Sequence, residues 1–334
     1  MATIKLAVDF DSVKTNIYML GSGLVLSEAT VATVSQDDKH EIKLVGDEAK
    51  KLIGKTAKNT KIVFPLFDGE IVNEKVASGL LNEFFKKLEI KNGFTNCHTL
   101  FSVPCGVTAD MIDKYKKVAK SCGISKTYFV ETPLLSALGQ RIPLNDSTPC
   151  FIIDMSGGVT NIAAVSLDGV IAGVSVNFGA NKISTDIIDY LAEKYNLQVG
   201  LLTAEKIKKE ISSLDKFDAL SMVVNGRDTV TGAPKALSIK AKDIFEATRL
   251  YFDKIAEIAT IVLKKLPPEV SAEIRHAGIY VSGLGGQIYG LEKYYKDIFD
   301  MKVNISPNCD MAVALGGGIA IGDNDLLKKI ALPV

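Results

Sequence analysis

Arginine is scarce in this sequence, and neither sign of charge is in excess. Only four of the 334 residues are arginine, and 39 basic residues balance 39 acidic ones, so the formal net charge is zero. Nucleic-acid-binding proteins usually carry a basic surface rich in arginine, whose planar side chain binds phosphate with two hydrogen bonds. The composition therefore argues against nucleic acid as a partner.

A signal peptide, a membrane-spanning run and paired cysteines are also missing. The first ten residues, MATIKLAVDF, have a strand-like pattern, and no apolar run reaches the roughly 20 residues that a bilayer requires. The five cysteines are scattered without a CxxC pair, and three histidines are too few to favour a structural zinc site. We therefore expect a cytoplasmic protein with reduced thiols.

Two segments of the chain repeat one pattern. Residues 5–20 (KLAVDFDSVKTNIYML) and 150–165 (CFIIDMSGGVTNIAAV) each contain an apolar strand that ends in aspartate, a short polar turn, and a second strand that begins Thr-Asn-Ile. Asp9 precedes its Thr-Asn-Ile by the same interval that separates Asp154 from the second one. The repeat predicts two related lobes, each opening with a β-hairpin.

The two turns have the composition of an anion-binding site. Backbone N–H groups that point out of a tight turn can bind phosphate, and Gly157 and Gly158 let phosphate approach the backbone closely. Asp9 and Asp154 would repel phosphate unless a cation lay between them, so we predict Mg²⁺ held largely through its waters. For one segment alone an ordinary hairpin is the better interpretation, but the matched pair favours a phosphate site.

Three further segments fit a nucleotide cleft, although each is a weak signal alone. In residues 278–291 (GIYVSGLGGQIYGL) a buried strand meets a glycine-rich turn, and residues 287–299 are predicted to form the helix that follows. Residues 203–213 (TAEKIKKEISS) predict a helix capped by Thr203, and Pro133 suits the first turn of a helix after a strand. Alternatively, the glycine-rich turn serves only tight packing, residues 203–213 form a helix with an ordinary solvated face, and the segment around Pro133 is a simple connector between a strand and a helix.

Strands alternate with helices along the chain, which predicts α/β sheets covered on both sides. Gly123 and the pair Pro267-Pro268 are expected to end helices, and Ser184 to begin one. Helices are predicted over residues 76–88, 109–121, 184–195 and 241–266, and strands over residues 100–103, 127–130 and 302–305.

The ordered set of motifs resembles the actin/Hsp70/sugar-kinase ATPase fold, and within it the bacterial actins of the MreB type. The resemblance runs nearly end to end and is most specific in residues 225–240 (NGRDTVTGAPKALSIK). It implies an actin-like (ribonuclease H-like) α/β fold with two related lobes, each with a mixed sheet flanked by helices, and a nucleotide cleft between them. Further matching segments are FPLFDGEIVNE at 64–74, SVPCGVTADM at 102–111, ETPLLSALG at 131–139, GLLTAEKIKKEI at 200–211 and LPPEVSAEI at 266–274.

The resemblance also implies the organisation and the partners of the chain. Lobe I would span residues 1–145 with a small subdomain inserted around 30–75, and lobe II residues 146–334 with one around 180–245. Such a subunit binds ATP or ADP with Mg²⁺ and polymerises with itself, head to tail, into cytoskeletal filaments for cell shape or motility. Paired protofilaments, related actin-like subunits and peripheral contact with the inner membrane face are further implied options. The family's membrane-facing loop matches residues 91–96 (KNGFTN), whose apolar tip residue is Phe94.

Carried over position by position, the resemblance assigns roles to individual residues. Asp9 and Asp154 would hold Mg²⁺ through water, and the catalytic positions are Asp154, Glu131, Thr132 and Val159. The nucleotide-binding positions are Asp9, Asp11, Ser12, Val13 and Lys14 in the first turn, Gly157, Gly158 and Val159 in the second, Glu205, Lys206, Ile207 and Lys208 beside the nucleoside, and Ser282, Gly283, Leu284, Gly285 and Gly286 at the end of the cleft.

Four places depart from the family pattern. Asp11 replaces a glycine, and Lys14, which replaces an asparagine, is expected to offset its charge. Thr132 replaces the glutamate that helps orient the attacking water. Val159 replaces a threonine whose hydroxyl helps hold the same water; valine has nearly the same shape as threonine but cannot form that hydrogen bond. Ala180-Asn181 replaces the Gly-Asp that usually follows the strand at 174–178.

These departures bear on the reaction. Losing one positioned polar group can lower a rate by about 10²–10³, so we expect slow or impaired ATP hydrolysis, unless a small shift of the helix start lets Glu131 substitute for the missing glutamate. A non-hydrolysing accessory actin-like subunit and a small-molecule kinase of the same fold are the alternative functions. The kinase would need a carboxylate base near a substrate hydroxyl, for which the sequence offers no evident candidate.

Overall fold

Two five-stranded sheets form the centre of the computed structural model, which describes residues 3–37, 41–90, 96–142, 144, 148–166 and 169–333. The first sheet has the strand order β10 (Lys126–Glu131), β9 (Asn96–Val103), β1 (Thr3–Phe10), β2 (Lys14–Met19) and β3 (Gly23–Ala29). The second has the order β18 (Val303–Ile305), β17 (Ile279–Ser282), β11 (Cys150–Met155), β12 (Thr160–Ser166) and β13 (Gly169–Val176).

The two sheets have the same topology. In each, an antiparallel three-stranded meander is extended by two parallel strands on the side of its first strand. Asp9 pairs with Asn16 in the first hairpin, and Asp154 pairs with Asn161 in the second. The predicted α/β fold with two related lobes and the predicted pair of hairpins are therefore confirmed, because even the register of the duplicated motif is the same.

Smaller sheets extend from each half of the chain. Antiparallel strands β4 (Ala32–Ser35), β5 (Ile42–Val45) and β6 (Thr60–Val63) lie within the first predicted insertion, and β14 (Leu197–Gln198), β15 (Ser221–Asp228) and β16 (Pro234–Lys240) lie within the second. A short hairpin joins β7 (Leu66–Phe67) and β8 (Glu70–Ile71). The predicted lobe boundary at residue 145 falls outside the described residues and stays a prediction.

The helices cover the sheets. They are α1 (Gly46–Lys50), α2 (Glu74–Lys87), α3 (Ala109–Ser121), α4 (Thr132–Gly139), α5 (Asn181–Tyr195), α6 (Leu201–Ile211), α7 (Ala241–Leu263), α8 (Pro268–Ala277), α9 (Leu291–Phe299), α10 (Ala312–Gly322) and α11 (Asn324–Ile330), with 3₁₀ turns at Leu284–Gln287 and Cys309–Met311. Within the described ranges, no helix combines the length and the apolar character that crossing a bilayer requires. All five cysteines are buried and unpaired.

Helices α4 and α10 lie between the two large sheets and cross backbone to backbone. Helix α10 packs against β1 and β2 of the first sheet, whereas α4 packs against β11 and β12 of the second. A Cβ atom on Gly139 would lie 1.8 Å from the Ala312 carbonyl oxygen, and one on Gly316 would lie 1.8 Å from the Leu135 carbonyl oxygen. The contact therefore depends on glycine in both helices.

Several predicted boundaries are confirmed. Helix α3 begins and ends where predicted, because the Thr108 side chain accepts a hydrogen bond from Met111 N–H and Gly123 takes a left-handed φ of +71° just after the helix. Pro133 lies in the first turn of α4, as expected. The long helix α7 ends at Leu263, close to the predicted end.

Three predicted helix starts are wrong. Helix α6 begins at Leu201 after Gly200, so Thr203 lies inside its first turn and is not the cap. Helix α5 begins at Asn181, and Ser184 is buried within it; the start is fixed instead by the second hairpin turn, whose Gly157 carbonyl accepts from Asn181 N–H at 3.0 Å. Residues 284–287 form a 3₁₀ turn, and α9 starts only at residue 291, so no helix begins directly at the glycine-rich turn.

Candidate functional site

The ends of β1 and β11 bring Asp9 and Asp154 to the same small cavity. The cavity has a volume of about 10 Å³, and Asp11, Ser156 and Gly157 also line it. Such a volume holds about one water molecule. The two aspartates that the sequence singled out therefore lie across one narrow gap between the hairpins.

Asp9 combines hydrogen-bond donors with nearby negative charges. The Ser102 hydroxyl donates to its Oδ1 at 2.8 Å, and the Asn16 amide donates to its Oδ2 at 3.4 Å. Burial, together with the neighbouring charges of Asp11 and Asp154, raises the pKa of Asp9 to about 7 against the opposing effect of the two donors. Near neutral pH this carboxyl group therefore binds a proton readily unless a cation takes the proton's place.

Asp154 is fully buried and receives two short hydrogen bonds. The Ser156 hydroxyl donates to Oδ2 at 2.6 Å, and the Ser282 hydroxyl donates to Oδ1 at 2.6 Å. Burial raises the pKa of Asp154, the two hydroxyls oppose that shift, and the charge of Asp11 adds to it. Ser282, predicted to line the cleft, thus contacts Asp154 from behind.

The carboxylates have the donor chemistry for Mg²⁺, but the gap between them does not fit the ion with its waters. Mg²⁺ usually keeps several waters of an octahedral shell when it binds to one or two carboxylates, and the cavity admits about one. In the part of the chain that the structure describes, no group of three or more acidic, histidine or cysteine side chains is arranged to hold a metal. A hydrated ion would require the two turns to separate.

An open cleft of about 1320 Å³ adjoins the small cavity, with which it shares the lining residues Lys14, Leu284 and Asp310. Val13, Lys14 and Lys50 line it from the first half of the chain, and Glu205 and Lys208 from the second. Ligand pockets typically measure about 300–1,000 Å³, so this cleft is large enough for a nucleoside with phosphates.

The predicted nucleotide-binding positions divide into two sets. Those that line the cleft or the small cavity are Asp9, Asp11, Val13, Lys14, Gly157, Glu205, Lys208, Gly283, Leu284 and Gly286. Those that line neither are Ser12, Gly158, Val159, Lys206, Ile207, Ser282 and Gly285. Ile207 is fully buried in the core of the second lobe, and Lys206 is exposed, with its Nζ 4.0 Å from Glu210 Oε1.

Lys208 places a partly buried ammonium group in the wall of the cleft. Its Nζ donates to the Ala180 carbonyl at 3.2 Å. Burial lowers the pKa of Lys208 to about 8, while the charge of Glu205 opposes the shift and that of Lys50 adds to it. The ammonium is therefore charged at neutral pH but loses its proton far more easily than an exposed lysine.

The predicted catalytic positions near α4 are committed to other contacts. The Thr132 hydroxyl donates to the Val103 carbonyl at 2.9 Å, and the Glu131 Oε1 accepts from Gly106 N–H at 2.7 Å. Neither side chain lines the cleft or the small cavity, and α4 begins directly after Glu131. Val159 is buried against Gly69, whose Cβ, if present, would lie 2.8 Å from Val159 Cγ1.

The structure adds contacts that sequence reasoning missed. Lys14 forms an ion pair with Asp310 at 3.2 Å, so the expectation that it offsets Asp11 did not identify its partner. The Asn161 Oδ1 accepts from Cys105 N–H at 3.0 Å and so connects the second hairpin to the loop after β9. Asn161 belongs to the repeated Thr-Asn-Ile motif, which was a signal for it, whereas Asp310 carries no motif.

Comparison with known proteins gives one consistent result. A family model described as MreB/Mbl protein matches residues 3–329. The cell shape-determining protein Mbl of Bacillus subtilis (strain 168) is 28% identical over 327 residues, which are 97% of each chain. The cell shape-determining protein MreB of Escherichia coli (strain K12) is 29% identical over 322 residues, covering 95% of this chain and 92% of that protein.

Solved structures agree with the sequence relatives. The crystal structure of MreB 5 of Spiroplasma citri bound to AMPPNP matches with a TM-score of 0.92 and 30% identity, over 98% of both chains. The MamK double helical filament matches with a TM-score of 0.81 and 20% identity, over 96% of this chain and 99% of that one, and supports the fold alone. Since the family model covers nearly the whole chain and both hairpins have the same register, this protein belongs to the MreB/Mbl family and has the actin-like fold.

Proposed function

We propose that this chain is a bacterial actin that binds ATP or ADP between its lobes, with Mg²⁺ entering only when the two hairpin turns separate, and that it polymerises head to tail into filaments for cell shape or motility. The observation that carries the proposal is the meeting of Asp9 and Asp154, in equivalent positions of two equivalent hairpins, at the inner end of a cleft. Mbl and MreB relatives are cell shape-determining proteins, and the similar MreB 5 structures contain AMPPNP and ADP.

The proposal includes slow or impaired hydrolysis. A buried valine at position 159 offers no hydrogen bond to an attacking water. The hydroxyl of Thr132 is engaged by the Val103 carbonyl, and the carboxylate of Glu131 by Gly106 N–H. The groups that position water in relatives are thus either replaced or occupied, which favours a long-lived nucleotide state.

The same observations favour a second candidate, a non-hydrolysing subunit that caps or co-polymerises with related actins. Such a subunit would keep the fold and the cleft but would have no use for hydrolysis. It differs from the first candidate in one measurable respect, because it would not assemble alone.

We further propose a cytoplasmic location with peripheral contact at the inner membrane face. The loop at residues 91–96 would make this contact through Phe94, but residues 91–95 lie outside the described part of the chain. Burying one aromatic side chain contributes only a few kcal/mol. Liposome co-sedimentation of the wild type and Phe94→Ser tests the loop, and equal membrane binding of both would reject it.

Sedimentation with ATP, ADP or no nucleotide, combined with a phosphate assay in the same tubes, tests the main proposal. Pelleting that depends on nucleotide, with little phosphate released, is the expected result. Failure to pellet alone, followed by pelleting with a related filament-forming actin, would favour the accessory subunit. Absence of pelleting under all conditions together with absence of nucleotide binding would contradict both candidates.

A further inference from the structure

The side chain of Asp11 reaches from the first hairpin turn into the second. Its Oδ2 accepts a hydrogen bond from Gly157 N–H at 2.9 Å, and its Oδ1 accepts one from Gly158 N–H at 3.3 Å. The same Oδ2 accepts from Val13 N–H in its own turn at 3.2 Å. One carboxylate therefore occupies N–H donors of both turns, and these are the donors that such turns offer to a bound anion.

The space in front of the second turn is filled as well. A Cβ atom on Gly157 would lie 2.3 Å from the Asp11 Oδ2 and 2.5 Å from the Val13 Cβ, so even a methyl group does not fit there. The adjoining cavity measures about 10 Å³, in contrast to about 1320 Å³ for the cleft that precedes it. Space for a nucleoside exists, but space for an anion at Gly157 does not exist while Asp11 stays in place.

The lining residues give the order in which a nucleotide would meet these regions. Lys14, Leu284 and Asp310 line both the cleft and the small cavity, whereas Gly157 lines only the small cavity. A phosphate chain that extends inward from a nucleoside in the cleft would therefore reach Gly157 last. The terminal phosphate of a triphosphate is the group that would compete with the Asp11 carboxylate.

We propose that Asp11 is a specificity-determining residue that acts as an internal anion, occupying the terminal-phosphate position and making the cleft select nucleoside diphosphate over triphosphate. This inference rests on the proposed nucleotide-binding function. A diphosphate stops short of Gly157 and leaves the carboxylate in place. A triphosphate must displace Asp11 from its hydrogen bonds with Gly157 and Gly158 and then lie beside its negative charge.

The expected selectivity follows from those two costs. Hydrogen bonds to a charged acceptor contribute enough free energy to change an affinity about tenfold to hundredfold, and placing like charges together adds to the loss. The wild type is therefore expected to bind ADP at least about tenfold more tightly than AMPPNP. Removal of the carboxylate in Asp11→Gly is expected to raise AMPPNP affinity by about tenfold to hundredfold and ADP affinity by less than about threefold.

Isothermal titration of the full chain with ADP and with AMPPNP, each with MgCl₂, measures this selectivity. If Asp11→Gly does not fold, Asp11→Asn replaces it in the test. This variant keeps the shape of the side chain but removes its charge, and should give a ratio of ADP to AMPPNP affinity below that of the wild type. Asp310→Asn is the matched control, because Asp310 lines both cavities and carries the same charge but pairs with Lys14. It should change the affinities for both nucleotides by similar factors.

The outcomes separate this inference from the function on which it rests. If neither nucleotide binds to the wild type or to any variant, the proposed function fails, and the inference falls with it. If both bind, but the wild type does not favour ADP or Asp11→Gly leaves the ratio of the two affinities unchanged, the nucleotide site stands and the role of Asp11 is refuted. An equal change of the ratio in Asp310→Asn would likewise refute it, because general charge would then explain the selectivity.

Discussion

Lys50 and Glu205 form an ion pair across the cleft, with 2.7 Å between the lysine Nζ and the glutamate Oε2. Lys50 ends helix α1 in the first half of the chain, and Glu205 lies on helix α6 in the second. Both side chains line the cleft and are partly exposed, at 32% and 24%. The pair therefore joins the two sides of the site without closing it to solvent.

Breaking this ion pair should accelerate nucleotide entry. Lys50→Ala removes a contact that must separate when the two sides move apart, so we expect a faster association rate in stopped-flow measurements with a fluorescent nucleotide. The stability of the protein should fall by only about 0–1 kcal/mol, because partly exposed ion pairs contribute little. Lys206→Ala on the same helix is the control, since Lys206 points to solvent. Equal association rates for wild type and Lys50→Ala would show that the pair does not limit entry.

Restoring the water-positioning groups should increase phosphate release. The double variant Thr132→Glu/Val159→Thr is expected to release phosphate about 10- to 100-fold faster than the wild type, less than two independent gains would give, because such groups act together. A new buried hydroxyl at position 159 costs about 1–3 kcal/mol if it finds no partner, so thermal unfolding should be measured alongside. Val159→Ala changes the volume without adding a hydroxyl and should not gain activity. Phosphate release by the wild type at the rate of the double variant would contradict the proposed impairment.

Nucleotide affinity should depend on the protonation of Lys208. Burial lowers its pKa to about 8, well below the usual value for lysine, so the ammonium attracts phosphate below pH 8 and loses its charge above it. A bound anion raises that pKa again, and affinity should fall by up to about tenfold per pH unit above pH 8. Titrations of wild type and Lys208→Met between pH 7.5 and 9.5 test this, and parallel profiles would exclude Lys208 as the cause.

The lowered pKa of Lys208 should also affect the stability of the protein, which is expected to increase with pH whereas the nucleotide affinity decreases. Between about pH 8 and 10.5 the unfolded chain binds a proton at Lys208 that the folded chain does not bind, so this residue's contribution to stability increases as pH rises through that window. In urea unfolding over that range, the free energy of unfolding of the wild type should therefore rise with pH relative to that of Lys208→Met. An identical pH dependence would show that Lys208 is not buried in solution.

Asn161 should matter more for stability than its counterpart in the first hairpin. Its Oδ1 accepts from the buried Cys105 N–H at 3.0 Å, and Asn161→Ala would leave that donor unpaired at a cost of about 1–3 kcal/mol. Asn16 occupies the equivalent place in the first hairpin and accepts from the Ser27 hydroxyl instead. Asn16→Ala is the matched comparison, and urea unfolding of both variants should give the larger loss for Asn161→Ala. The reverse order would refute the assignment.

The sequence predicted those features that depend on local chemistry. The spacing from Asp9 to Asn16 and from Asp154 to Asn161 was sufficient to predict two hairpins, because strand pairing over a short turn fixes the register. The end of α3 was predicted from Gly123, which takes a left-handed φ just after the helix. In the site, the same local pattern located the two aspartates that meet at the inner end of the cleft.

The features that the sequence did not predict depend on contacts between distant segments. Helix α5 starts early because the turn at Gly157 accepts a hydrogen bond from its first residue, a partner that a capping pattern cannot reveal. Lys14 pairs with Asp310, 296 positions away along the chain, although its sequence neighbour Asp11 carries the same charge. The reach of Asp11 into the second turn is likewise a consequence of how the two lobes face each other.

The glycine crossing of α4 and α10 determines how the halves of the molecule can move. No side chain separates the two backbones at Gly139 and Gly316, so the axes cannot approach more closely, and sliding would drive neighbouring side chains into the opposite helix. Rotation about the crossing meets the least resistance. A small rotation at this crossing therefore gives a larger displacement in the parts of the two halves that lie farthest from it.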